Sequence, residues 1–226
     1  HTAMPASMTE IACILPSITD SFSLSMVNGV QSVFPEDTYI CHIFQSHNPT
    51  VENYLLQRCL ELNISGIVLF PQDQPFFSNQ LLAMQLQNYP LVLLDRYLPR
   101  LNTNYVIADN KAAGELCLRH LHKLGHQRIA FVTSTDRNTF SVKYRIEGIQ
   151  ETALSLNLPD YAVQLVEFLD KHKKFSYYQD LFLNLITQNR VTAFITAESS
   201  TCTYLYDLLT SLDVKVPGDV SLMPFD

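Results

Sequence analysis

Between Val106 and Ile149 the chain runs VIADNKAAGELCLRHLHKLGHQRIAFVTSTDRNTFSVKYRIEGI, and its residue types prescribe strand, acidic turn, helix, glycine stop, strand, loop and helix. Ala113, Leu116, Cys117, His120, Leu121 and Leu124 recur at three- and four-residue steps, which gives one helical face an apolar character. Asp109 or Asn110 stands where a side chain can cap the first helical N–H groups. Gly125 supplies the left-handed conformation that closes a helix, and Ile129 to Val132 is short enough for a buried strand. Ser141 and Arg145 lie one turn apart in the following helix and share a face.

The same alternation extends in both directions. Strands are predicted at Ile11–Leu15, Tyr39–Phe44, Gly66–Phe70 and Leu91–Leu94, with helices from Phe22 to about Phe34, from Val51 to Leu62, and from the turn at Pro71–Pro75 through Gln87. Asp95 to Asn104 is polar, contains Pro99 and has no helical period. The pattern restarts at Tyr105. It then continues through a strand at Val163–Val166, a helix from about Tyr177 to Gln188, a strand at Ala193–Ile195, a helix from Ser199 to Leu212 and a strand at Val220–Met223. Strands alternating with helices at this spacing make parallel sheets covered on both faces, an α/β chain. Right-handed crossovers bring every strand's C-terminal loop to one edge.

The balance of 22 acidic against 15 basic residues, net −7, is wrong for a surface that holds nucleic-acid phosphates. Cys13, Cys41, Cys59, Cys117 and Cys202 form no CxxC pair and read as small buried hydrophobes of a reducing compartment. No apolar run is long enough to span a bilayer, and no charged-then-apolar leader opens the chain. Residues 1–9 are read as a remnant outside the fold.

Ligands of open parallel sheets bind beyond the carboxyl ends of the strands. That rule selects Ser17 to Phe22, Gln45 and Ser46, Pro71 and Gln72, Asp95 and Arg96, Thr133 to Arg145, the segment near Phe175, Ala197 to Ser199, and Asp226. A polyol asks for carboxylate and guanidinium partners for its hydroxyls and an aromatic face for its C–H side. Asp95, Arg145 and Asp226 offer the first; Phe22 and Phe175 offer the second, against a core role for either ring. Arg145 competes with a plain salt bridge, and Asp20 with a helix cap. His120, His122 and His126 suggest a metal, but residues two apart on a helix point to opposite sides, and solvated helix-end histidines fit better. The basic run Lys171–Lys174 reads as a solvated turn. No nucleophile elbow, phosphate loop or dinucleotide fingerprint is present, and six glycines are few for a backbone cradle.

Taken together, Asp109-Asn110, Gly125-His126, Arg128-Ile129-Ala130-Phe131 and Ser141 with Arg145 and Gly148 resemble the effector-binding domain of the lactose/galactose repressor family of bacterial transcription regulators. Val216-Pro217-Gly218-Asp219 and the strand after it resemble a further segment of that family. The resemblance implies a two-lobed fold of the type I periplasmic-binding kind: a first lobe over 10–95, a crossover over 96–108, and a second lobe over 109–226. That second lobe is expected to be incomplete, because family members continue for several tens of residues.

The resemblance also implies a cytoplasmic ligand sensor, not an enzyme, with neither cofactor nor metal. A sugar or sugar derivative would bind between the lobes, with Ser141, Arg145, Asp95 and Asp226 matching the family's effector-binding residues and Ser17, Asp20, Phe22, Phe175 and Glu198 completing the candidate set. DNA would be reached only through a separate head domain, and the protein would be a homodimer. The competing expectation is a solute-binding protein of a sugar transport system. Two departures stand out. Ala197-Glu198 replaces the family's Asn-Asp pair, and Pro224 stands where glycine is usual before Phe225-Asp226.

Overall fold

A computed structural model describes residues 8–72, 78–134, 136–168 and 174–225. The chain divides into two compact units, His1–Ala108 and Asp109–Asp226. In the first, β1 (Thr9–Leu15), β2 (Tyr39–Gln45), β3 (Gly66–Leu69), β4 (Leu91–Leu94) and β5 (Asn104–Val106) form a sheet in the order β2-β1-β3-β4-β5. In the second, β6 (Ile129–Thr133), β7 (Val163–Glu167), β8 (Ala193–Thr196) and β9 (Ser221–Pro224) are ordered β7-β6-β8-β9. Every pairing is parallel.

The helices are α1 (Ser21–Ser32), α2 (Pro49–Glu61), α3 (Asn79–Leu86), α4 (Asn110–Lys123), α5 (Phe140–Ser155), α6 (Phe175–Thr187) and α7 (Ser199–Ser211). Period-two alternation along the strands sends neighbouring side chains to opposite faces, so each sheet builds two cores. On β1, Ala12 and Ile14 pack with Leu56 and Cys59 of α2 and Leu81 and Met84 of α3, whereas Cys13 and Leu15 pack with Val27 of α1 and Phe70. On β6, Ala130 and Val132 meet Phe182 of α6 and Leu205 of α7; Ile129 and Phe131 meet Leu118 and Leu121 of α4 and Val142 and Ile146 of α5.

Side-chain caps fix several helix starts. Asp20 accepts from the Ser23 N–H (2.8 Å), Asn48 from Val51 (2.9 Å), and Asp109 from Ala112 (2.9 Å). Asp109, then, is the cap, and Asn110 is left for another task. Gly125 closes α4 with φ +94°, a conformation that costs other residues a Cβ clash.

Three expectations are corrected. Tyr105 does not begin the second unit: β5 pairs with β4 through Val92–Asn104, Leu93–Tyr105 and Leu94–Val106, so this stretch completes the first sheet. All three β5 residues are exposed, and an exposed edge strand carries no burial pattern to read. β1 begins at Thr9, inside the segment assigned to the remnant. The buried stripe of α4 is Asn110, Gly114, Leu118 and Leu121; Leu116 and Leu124 are exposed by 66% and 63%. Apolar spacing found the helix but put its inner face one step off, because the position nearest α5 is held by a glycine.

Candidate functional site

The carboxyl edge of the first sheet gathers side chains from four loops. After β1, Ser17 Oγ lies 3.1 Å from Thr19 Oγ1 and accepts from the Thr19 N–H. Asp20 starts α1; burial works to raise its pKa, but hydrogen bonds from the Ser23 N–H and from the Ser17 and Ser23 hydroxyls outweigh that and hold it below the ordinary value. Phe22 is 40% exposed and stands edge-on to Phe70 at the end of β3 (centroids 6.3 Å apart), while the Arg96 guanidinium lies 4.9 Å from the centre of the same Phe70 ring. Asp95, half-buried after β4, adopts φ +62° and donates its N–H to the Val106 carbonyl (2.9 Å). Aspartate is one of the few residues that accept this conformation readily.

Sequence reasoning missed one fully buried member of this edge. Glu52, in the first turn of α2, is fully buried and its Oε2 accepts from the Gln72 N–H (2.6 Å); the Gln72 side chain in turn donates to the Ser46 carbonyl. Burial pushes the Glu52 carboxyl up to about 7, against the opposing pull of the Gln72 N–H and the Arg96 charge. The signal was present in the sequence: Glu52 falls at four- and three-residue steps with Leu56 and Cys59, on the buried face of the helix.

A folded pKa above the unfolded value means that the native state binds the extra proton. The stability contribution is present below about 4.5 and lost as pH rises through about 7. Between about pH 5 and 8, wild type should therefore lose up to roughly 3 kcal/mol relative to Glu52→Gln, which stays neutral. Melting curves of the two proteins across that range check this; parallel pH profiles overturn it.

At the carboxyl edge of the second sheet, Arg145 of α5 is buried. Its Nε donates to Asn110 Oδ1 (2.9 Å), its Nη1 donates to the Ala197 carbonyl (2.6 Å), and its guanidinium lies 4.4 Å from the centre of the Phe225 ring. The helix start, the loop after β8 and the end of β9 thus hold one cation by three different contacts. Three of its partners are a side-chain amide oxygen, a backbone carbonyl and an aromatic ring.

Ser141, half-buried, lies one turn before Arg145. Beside this group, Glu198 Oε2 accepts from Thr201 Oγ1 (2.6 Å) and lies 3.4 Å from Ser134 Oγ, which itself is 2.9 Å from the Thr201 hydroxyl. Glu198 is therefore already tied into a hydroxyl network, which Thr201, three residues on, makes possible. Phe175 opens α6 and is 45% exposed, edge-on to Tyr204 at 6.1 Å. Asp226 and Lys171–Lys173 lie outside the described residues.

The structure brings Arg145, Ser141 and Glu198 to one sheet edge in the second unit. It brings Ser17, Asp20, Phe22 and Asp95 to one sheet edge in the first. Phe175 stands apart, with Tyr204. Among the described residues no group of three or more His, Cys, Asp or Glu is placed to hold a metal ion, and no helix is long and apolar enough to cross a membrane. His120 is exposed as expected, but His122 is half-buried, with a buried Nδ1 that has no hydrogen-bond partner.

The family model for periplasmic binding proteins and the sugar-binding domain of the LacI family matches residues 8–201. The chain is 22% identical to the arabinose metabolism transcriptional repressor of Halalkalibacterium halodurans over 98% of its own length and 60% of that protein's. It is 25% identical to the HTH-type transcriptional regulator GalR of Salmonella typhimurium over 99% of its own length and 65% of that protein's. The chain thus spans less than two thirds of either relative. The crystal structure of a LacI family transcriptional regulator from Enterococcus faecium with bound ribose superposes with TM-score 0.76 at 19% identity, over 96% of this chain and 77% of that one, and shares its fold. With the match covering most of its length and the two parallel sheets in place, the chain belongs to the family of periplasmic binding proteins and LacI-type sugar-binding domains.

Proposed function

We propose that this chain is the ligand-sensing part of a bacterial transcription regulator, that its ligand is a sugar or sugar derivative held by the carboxyl-edge loops, and that binding controls DNA attachment allosterically. The observation that carries the reading is the fixed guanidinium of Arg145, seated at a sheet edge by Asn110, Ala197 and Phe225. A preset cation with an adjacent serine suits a polyhydroxylated guest, since its geometry needs no reorganisation on binding. The relatives' names support regulation over transport, and the Enterococcus faecium structure's ribose supports a sugar.

In the whole protein, a separate head would contact DNA, because an acidic chain of net −7 is poorly suited to hold a nucleic-acid backbone. A cytoplasmic homodimer is part of this proposal: closure of each sensor would alter the spacing of paired heads. Calorimetric titration of the protein with a panel of pentoses and hexoses tests it. One or a few sugars should bind saturably. Asp95→Asn, which keeps the left-handed backbone accessible, and Ser141→Ala should each weaken binding about tenfold, the loss of one charge-assisted or well-placed hydrogen bond. A panel without a binder overturns the sugar assignment, and undiminished binding in both variants removes the carboxyl edges as the site.

A further inference from the structure

The opposite edge of the second sheet carries a second concavity. A cavity of about 560 Å³ opens at the amino ends of β6, β7 and β8, between the end of α4 and the turns that precede β7 and β8. Arg128, Arg190, His122, Tyr161, Gln127 and Thr192 line it, and no carboxylate does. In a chain where acids outnumber bases by 22 to 15, a pocket with two guanidiniums and no acid is unusual for a surface left to water. Its volume lies within the range of small-molecule sites.

Arg128 is held in place rather than free in solvent. Its Nη1 donates to the Asn189 carbonyl (2.9 Å) and its guanidinium lies 4.5 Å from the centre of the Tyr161 ring. Neither arrangement neutralises its charge, and neither arginine forms an ion pair among the described residues. Arg190 is exposed in the loop before β8, in a left-handed conformation (φ +54°). Thr192 is oriented by a 2.9 Å hydrogen bond between its hydroxyl and His126 Nδ1, and Gln127 offers amide donors beside it. Asp160 adjoins the lining residue Tyr161 in sequence but does not itself line the cavity.

We infer that this cavity is a binding site for a phosphate-bearing small molecule, distinct from the carboxyl-edge loops. A phosphate group presents three oxygens and up to two negative charges, which two guanidinium forks and neighbouring amide and hydroxyl donors match better than they match a single carboxylate. The cavity is larger than bare phosphate requires, and the half-exposed Tyr161 ring beside it suits the organic part of a phosphorylated metabolite. Strands of about five residues separate the two edges of the sheet by about 15 Å, so a ligand here does not overlap one held near Arg145.

Titration calorimetry with inorganic phosphate and, separately, ribose 5-phosphate is the test, on the full chain at low ionic strength. Both should bind saturably, with the organic phosphate the tighter if Tyr161 and the remaining volume contribute. Arg190→Gln, at an exposed position without structural bonds, should weaken both by at least about tenfold, the expected loss of a charge-assisted contact, and Arg190→Lys should recover part of it. Arg119→Gln, on the flank of α4 where Arg119 pairs with Glu115, should leave both unchanged. No saturation by either ligand at about 50 mM, a limit weaker than any specific site, overturns the inference. Equal weakening by Arg119→Gln also overturns it, since that pattern is general charge attraction. Because the readout is phosphate binding, failure here leaves the sugar titration untouched, and the reverse holds.

Discussion

Gly148→Ala should prevent the second unit from folding normally, with a loss of at least about 3 kcal/mol and a melting temperature lower by roughly 6–12 °C. A Cβ built on Gly148 would stand 2.0 Å from the Lys111 carbonyl oxygen of α4, and one built on Gly114 would stand 2.2 Å from the Arg145 carbonyl oxygen of α5. The two helices therefore touch backbone to backbone at two reciprocal points. A flexible side chain could swing away from a new methyl group, but a helix carbonyl cannot move without its whole helix. Separating α4 from α5 would also open the core of Leu118, Leu121, Val142, Ile146 and Ile149. Gly29→Ala is the matched control, since nothing lies within 4 Å of its added Cβ on α1. It should be neutral or stabilising by about 0.5–1 kcal/mol, as expected when alanine replaces an exposed helical glycine. Equal melting temperatures for Gly148→Ala and wild type would refute the close contact.

Arg145→Ala should cost roughly 3–5 kcal/mol of stability as well as ligand binding, because its guanidinium is a structural donor. Removal leaves Asn110 Oδ1 and the Ala197 carbonyl without the donors they face, and takes the cation from the Phe225 ring. A buried acceptor that loses a donor costs about 1–3 kcal/mol, and two lose one here. Loss of binding in this variant alone is thus ambiguous between a ligand contact and a collapsed edge. Arg145→Lys separates the two: it keeps the charge, cannot maintain both Nε and Nη1 contacts, and should recover part of the stability while binding stays weak. Chemical denaturation of the three proteins checks the order, wild type above lysine above alanine. An alanine variant as stable as wild type would show that these contacts carry no stability.

The two predictions rest on residues that differ in how openly the sequence announces them. Gly148 and Arg145 stand at fixed spacing from Ser141, in a stretch whose order of motifs already resembles the repressor family. Their partners lie 35 residues or more away in the chain, and nothing in the local pattern names Asn110, Lys111 or Ala197 as those partners. The loss of the family's amide at Ala197 illustrates the point: its side chain offers no hydrogen bond, yet its carbonyl accepts one from Arg145. Glu52 shows the converse. Its place on the apolar face of α2 was legible, but a carboxylate at such a position is usually taken for a surface residue, and only the folded chain supplies the Gln72 N–H that it accepts.

What the residues alone determined was the alternation of buried strands and amphipathic helices, the glycine stop at Gly125, and hence parallel sheets with loops collected at one edge. These follow from interactions within a few residues, which spacing records. Tertiary structure decided which face of α4 turns inward, that the stretch around Tyr105 closes the first sheet as β5, and which carbonyl and amide Arg145 holds. Each of those outcomes depends on groups brought together from distant parts of the chain. Burial and hydrogen bonding are settled there by what stands opposite, a quantity that no local periodicity contains.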